Sequence, residues 1–468
     1  MIPCLRVLVP ALILTVLPCA AQFSGVGLPP ETQSAIEAIV LKTLAETGAP
    51  GASIAVVNDK ALFAKAFGDA RLQPKIAATP EMRYKIASNS KQIAASAILL
   101  LAEQHRLSLD DTVARYLPQL TRAREVTIRQ LLSHTSGYQD YYPLDYVAPF
   151  MTRDVTAAQI LDQWGKKALD FDPGSKWQYS NTNYVIVGQI IEKVTGKPLM
   201  DFLQSRVFAP LGMKSVIDVT REHWNPADPV GYAQFALAPA HETAPEGNGW
   251  MYAAGELAMT ARDLAIWDAS LMEGKLLRPE SLRSLTTEVL MKGGSGTHYA
   301  LGLEVATTAK GNRRWSHGGG ASGFFSRNTM YPDDHISITV LTNAEGTAAA
   351  TIARRIEDLL FAPVADPEAG PALEHARTVF AGLQKGELEK SLITSDLQAY
   401  FTPEAVAAFA SSLGPLGAPE SFTAGPHEDR GGMTFRGYSV KAGGRNLRIS
   451  TFLTPEGRFA QFLVTGSN

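Results

Sequence analysis

Cysteine is nearly absent from this chain of 468 residues: there are two, Cys4 and Cys19, both within the first 21 positions. Those positions have the pattern of an export signal. Arg6 supplies the charge of a short leading region, residues 7–17 are apolar apart from Pro10, and Pro18-Cys19-Ala20-Ala21 ends the segment. We read residues 1–21 as a signal peptide cut after Ala21, which implies an exported protein, periplasmic or secreted. The mature chain would then hold no thiol, so a Cys nucleophile, a Cys-ligated zinc, an iron–sulfur cluster and a disulfide are all excluded. Long hydrophobic runs are missing as well. The apolar part of the leader is shorter than the roughly 20 residues of a spanning helix, and no membrane span is expected after signal cleavage. A basic excess is also missing: Lys and Arg total 43 against 46 Asp and Glu, for a formal net charge of −3. No block of like charge occurs, so nucleic acid is not an expected partner. The histidines lack metal-ligand spacing, which gives no metal site, and no Gly-x-Ser-x-Gly elbow occurs, which argues against an α/β-hydrolase.

What is present is enough hydrophobic residue, 45% of the chain, for a sizeable core and more than one domain. Apolar spacing predicts a helix over 33–47, strands over 51–57 and 61–67, and a buried helix over 90–104. A long, helical and loop-rich middle runs from 110 to about 276. Strands return over 299–306, 314–316, 324–331 and 335–342, and a helix over 347–360 follows. Strands at both ends with helices between them predict an α/β chain of the α+β kind. One antiparallel sheet is flanked by helices, and a helical subdomain is inserted in the middle. The main domain is read as 22–361 and a Pro- and Ala-rich linker as 362–372. Residues 373–468 read as a small α+β accessory domain, with helices over 373–388 and 403–413 and strands over 433–441, 447–453 and 459–464. It is weakly similar to NTF2-like or SnoaL-like folds.

Three short motifs carry chemistry. Ser88-Asn89-Ser90-Lys91 sets a hydroxyl and an amine one helical turn apart. A serine needs a base to become a nucleophile, and a partly buried lysine can be one. Taken alone, the same four residues also fit an N-cap serine with a surface lysine. Tyr179-Ser180-Asn181 offers a phenol, which acts as a base near neutral pH only where cations lower its pKa, and an amide that can donate and accept. His317-Gly318-Gly319-Gly320 closes the run 314–316, and glycines there allow a ligand to approach the backbone. His134, before Thr135-Ser136-Gly137, reads as part of a structural turn.

Together, in this order and at this wide spacing, the motifs resemble those of the serine β-lactamase and DD-peptidase superfamily. The chain is most similar to the class C-like branch, which includes β-lactamases, D-aminopeptidases, DD-carboxypeptidases and esterases. Residues 127–137, 171–174 and 261–264 resemble the same branch, and the likeness covers about 34–361. The resemblance implies a serine hydrolase that acts through an acyl-enzyme on an ester or amide. Ser88 would carry the acyl group, Lys91 with Tyr179 would move protons, and Asn181 would orient the substrate amide. The N–H groups of Ser88 and Gly320 would hold the oxyanion, and His317, Gly318 and Gly319 would bind substrate. No cofactor is implied; the partner is a small-molecule or peptide substrate. One departure is plain: His317 stands where class C enzymes usually carry lysine, which weakens a fixed clamp for a carboxylate. The esterase, D-amino-acid amidase and peptidase readings stay open. A ligand-binding or sensing protein with an inert site is the alternative reading.

Overall fold

The computed structural model describes residues 23, 27–144, 146–222, 224–234, 239–308, 310–361, 369–430 and 432–467. The expected signal peptide lies outside them. The chain divides into two compact units, with the main change of unit at residues 362–363.

In the larger unit, strands from both ends of the sequence share one sheet. β1 (Gly51–Asn58) and β2 (Ala61–Arg71) form a hairpin, with the short β3 (Ile76–Ala77) beyond it. β4 (Glu304–Thr307), β5 (Arg313–Ala321), β6 (Phe324–Tyr331) and β7 (Ile336–Thr342) supply the rest. The order is β3-β2-β1-β7-β6-β5-β4, antiparallel throughout, and the two halves join where Ile54 pairs with Val340. β1 reads as a continuous apolar run because both of its faces are buried. Ile54 and Val56 enter a core with Ile36, Val40 and Ile352, from α1 (Pro30–Thr47) and α5 (Ala348–Leu360). Ala55 and Val57 enter the opposite, larger core. Alternation along the strand requires that division. The larger core also receives α2 (Ser90–Glu103), α3 (Asn181–Thr195) and α4 (Ala261–Met272). The structure differs from the sequence expectation along β4 and β5. The 299–306 strand shrinks to Glu304–Thr307, and the 314–316 strand extends to Ala321, which draws the glycines into the strand itself.

A buried polar network ties this core together. The Trp267 indole donates to Gln92 Oε1 (2.9 Å), and Asn328 Nδ2 donates to both oxygens of Asp268 (2.7 and 2.8 Å). Thr339 Oγ1 donates to Asp268 Oδ2 at 3.1 Å.

The smaller unit has α6 (Ala369–Lys385), α7 (Ser395–Tyr400) and α8 (Pro403–Leu413), then β8 (Ser421–Arg430), β9 (Met433–Ala442), β10 (Arg445–Leu453) and β11 (Phe459–Ser467) in sequential antiparallel order. Phe380, Ile449, Phe459 and Phe462 form its core. Four strands replace the three expected. The added one, β8, slips register between Ala424 and His427. The first helix begins at Ala369, earlier than the expected 373, and α7 is a helix beyond the two expected.

Burial raises the Asp268 carboxyl from 3.8 to about 7. The folded chain therefore keeps this proton to higher pH than the unfolded one. Stability from the group is complete below about pH 4 and is lost as pH rises through about 7. Asp268→Asn resembles the protonated acid and should flatten the loss. Between pH 5 and pH 8 the wild type should lose up to about 2.5 kcal/mol more unfolding free energy than the variant in urea titrations. Equal losses would assign the proton elsewhere.

Candidate active site

Ser88 sits in a single 3₁₀ turn, Ala87–Asn89, that leads into α2. Ala87 has φ of 48°, left-handed backbone that an alanine rarely adopts, and it turns the chain just before the serine. The turn is anchored from behind. Asn89 Nδ2 donates to Ser326 Oγ (2.8 Å), which donates to the Ile86 carbonyl (2.9 Å). Gln92 Nε2 reaches Asn89 Oδ1 at 3.2 Å and Asn328 Oδ1 at 3.3 Å. The serine is thus fixed to β6 rather than to a mobile loop.

One turn on, Lys91 is fully buried. Its Nζ lies 2.8 Å from each of three oxygens: Ser88 Oγ, Asn181 Oδ1 and the Ala254 carbonyl. Burial lowers its pKa to about 7, against an opposing pull from Asp140. The contacts fix where the neutral amine's lone pair points. Asn181 Oδ1 and the Ala254 carbonyl can only accept, so they take two N–H groups. The lone pair is left facing Ser88 Oγ.

Tyr179 donates its hydroxyl to Ser88 Oγ at 2.9 Å. Burial raises this phenol above its ordinary value. Lys91, the cation placed to lower it, is itself driven toward neutrality. Tyr179 is therefore a donor at rest. The ring of His134 packs against it at 4.2 Å between centroids. His134 is buried in a left-handed turn (φ 59°), and its Nδ1 accepts from the Ser180 N–H at 3.1 Å. The turn expected from sequence thus also forms the floor beneath the phenol.

Asn181, at the start of α3, is occupied at both ends of its amide. Oδ1 holds Lys91, and Nδ2 donates to Asp140 Oδ2 at 3.2 Å. Asp140 also accepts the Asn181 N–H at 2.9 Å. The four glycine-motif residues separate. Gly320 joins Ser88, Asn181, Tyr142 and Phe325 in lining one cleft of about 210 Å³. Gly319 faces the serine turn, where a Cβ would stand 2.3 Å from the Ile86 carbonyl. Gly318 has ordinary space. His317 is buried, and its Nε2 bonds the Tyr299 hydroxyl at 2.8 Å. Burial and the nearby Lys91 push His317 down to about 4, so it is uncharged near neutral pH. β4 pairs with β5 over Arg313–Ser316, and among the described residues the outer edge of 317–321 has no strand partner. Asp140 and Tyr299 belong to the site but carried no recognisable sequence signal.

The profile of the family described as Beta-lactamase matches residues 36–362. The chain belongs to the beta-lactamase family. Among relatives of this beta-lactamase-family chain, Penicillin-binding protein 4* of Bacillus subtilis (strain 168) is 27% identical over 371 residues, 76% of this chain and 82% of that protein. Protein flp of Staphylococcus aureus (strain MW2) is 31% identical over 267 residues, 55% of this chain and 52% of that protein. The match therefore spans about half the length of Protein flp. Among solved structures, the D-amino acid amidase from Ochrobactrum anthropi SV3, complexed with L-phenylalanine amide, aligns with a TM-score of 0.64 at 25% identity, covering 70% of this chain and 97% of the other. The octameric penicillin-binding protein homologue from Pyrococcus abyssi aligns with a TM-score of 0.63 at 20% identity, covering 92% of this chain and 99% of the other; this likeness shows the fold alone. The beta-lactamase-family fold is that of a serine hydrolase.

Gly319→Ala tests the serine turn. Its methyl would meet the Ile86 carbonyl and Ser326 Oγ, 2.3 and 2.5 Å away, so β5 and the turn must part. We expect at least a tenfold loss in the rate of Ser88 labelling by a fluorophosphonate, while Gly318→Ala, whose methyl would make only ordinary contacts at 3.6 Å or more, stays within about twofold. Equal rates for the two variants would remove the packing argument.

Proposed function

We propose that this chain is an exported serine hydrolase that cleaves an ester or amide through an acyl-enzyme on Ser88. The observation that carries the reading is the pair of contacts at one oxygen: Ser88 Oγ lies 2.8 Å from the Lys91 amine and 2.9 Å from the Tyr179 hydroxyl, at the edge of a cleft.

In the proposed sequence, Ser88 Oγ attacks the substrate carbonyl carbon and its proton passes to the Lys91 lone pair. The N–H groups of Ser88 and Gly320 receive the negative oxygen of the tetrahedral intermediate. Tyr179 gives its hydroxyl proton to the departing nitrogen or oxygen. It recovers one from Lys91, since both groups flank Oγ. Water then attacks the ester carbonyl, and the proton moves in reverse. Asn181 acts by positioning Lys91, because its amide is already committed to Lys91 and Asp140.

The likeness to the D-amino acid amidase supports an ester or amide substrate. A neutral His317 in the third motif argues against dependence on a substrate carboxylate. Among the described residues no helix is long and apolar enough to cross a membrane. Export rests on the expected signal peptide at residues 1–21.

Two experiments test this. Ser88→Ala should lower turnover of a 4-nitrophenyl ester by several orders of magnitude and abolish fluorophosphonate labelling; equal turnover would refute the assignment. Separately, kcat/KM should rise with pH around a midpoint near 7, because only neutral Lys91 accepts the proton. Asn181→Asp sets a carboxylate against that amine and should move the midpoint up to about pH 8 or beyond. A midpoint unchanged in that variant would mean another group limits the rate.

A further inference from the structure

A second cavity, of about 320 Å³, adjoins the Ser88 cleft; the two share Met251 and Ser322 as lining residues. Its walls include Val219, Trp224, Val230 and Phe324. Trp224 and Phe324 meet edge to face, with centroids 5.7 Å apart. Such walls suit a flat apolar group.

Besides the exposed Glu222, a buried charged assembly interrupts the apolar lining. Lys85 and Glu246 form an ion pair at 3.5 Å, with side chains only 12% and 2% exposed. Ser322 stands between them with φ of 43°, a left-handed backbone unusual for serine. Its hydroxyl is fully committed: it accepts from Lys85 Nζ (3.2 Å) and from the Glu246 N–H (3.3 Å), and it donates to Glu246 Oε2. Thr243 Oγ1 holds the Ser322 carbonyl at 2.7 Å, and Gly231 packs so closely there that a Cβ would stand 2.0 Å from that carbonyl. The arrangement is rigid, and it commits the Ser322 hydroxyl to one oxygen of the carboxylate and to the lysine that pairs with it. The other oxygen, Glu246 Oε1, is buried and has no hydrogen-bond partner among the described residues. A buried carboxylate oxygen without a donor is costly, and the strongest partner for it is a charged N–H.

We propose that this cavity is a recognition site for an apolar, aromatic-sized group bearing an ammonium, with the ammonium on Glu246 Oε1. Lys85 and Ser322 hold Oε2, which leaves Oε1 as the oxygen of this carboxylate without a donor. The connection to turnover rests on the hydrolase reading: a group seated here belongs to a substrate whose carbonyl lies at Ser88. The cavity's ligand preference does not rest on that reading.

The test therefore begins with binding. The full chain carrying Ser88→Ala is titrated by calorimetry with 2-phenylethylammonium and with the neutral 2-phenylethanol. We expect the ammonium to bind at least tenfold more tightly, and Glu246→Gln in the same background to abolish the difference. Equal affinities, no binding of either probe, or a preference that survives Glu246→Gln would overturn the proposal. The first comparison leaves the ion pair intact, so it holds even if Glu246→Gln does not fold. The second arm uses the chain with Ser88 present. The kcat/KM for an ammonium-bearing aromatic 4-nitrophenyl ester, divided by that for its neutral isostere, should fall about tenfold in Glu246→Gln; an unchanged ratio would count against the site. Absence of Ser88-dependent ester turnover would defeat the hydrolase reading, while the calorimetric comparison would still decide the ligand preference of the cavity.

Discussion

The structure turns on an amine that has been taken out of water. A lysine ammonium buried without compensation is far costlier than the fold could bear, so it must be paired or lose its proton. Here the nearest carboxylate, Asp140, acts through Asn181 instead of meeting Nζ directly. The three direct partners are neutral oxygens from separate elements: the serine turn, the start of α3, and the short helix Tyr252–Gly255. They can accept all three N–H groups of an ammonium, so the loss of water, not these contacts, favours the neutral amine. The contacts tie α2 to α3, and the same desolvation brings the amine's pKa down to about 7. Fold and chemistry share one constraint.

That constraint needs a rigid serine, and the sheet supplies it. Asn89, Ser326, Gln92 and Asn328 connect the turn to β6, and Trp267 and Asp268 extend the connection to α4. Buried polar networks of this kind are stable only when their members are satisfied. The glycines of β5 belong to the same logic. Gly319 is required because the Ile86 carbonyl fills the space of a side chain, whereas Gly320 lines the cleft and a Cβ there would press on the Phe325 ring at 3.1 Å.

Much of this is legible in the amino-acid sequence. Ser88, Lys91, Tyr179 and Asn181 converge as their motifs imply, and the alternating and continuous apolar runs mark β1, β2, β6 and β7 closely. Other parts depend on long-range packing. The glycines at 318–320 look like the end of a strand, since glycine has little intrinsic preference for one; the serine turn packing against them keeps them extended. β8 escapes a reading by pattern because Gly425 and Pro426 interrupt it, and the bulge near them accommodates the interruption. Asp140 cannot be found from local sequence. It lies 41 positions before Asn181, and its importance exists only once the loop folds back.

Charge ties the two cavities together. Near neutral pH the cleft around Ser88 has little fixed positive charge: Lys91 is close to neutrality, His317 is uncharged, and Arg327 is paired with Glu304. Such a cleft offers a substrate carboxylate no strong counter-ion. The neighbouring cavity carries the opposite bias, with one carboxylate oxygen lacking a donor and its ammonium partner already committed to the other. A single substrate spanning both spaces would experience a neutral reaction centre and an anionic anchor. Protonation of Lys91 at lower pH removes the base and adds a positive charge to the cleft. For a cationic substrate, loss of the base and weaker binding would therefore follow from the same proton.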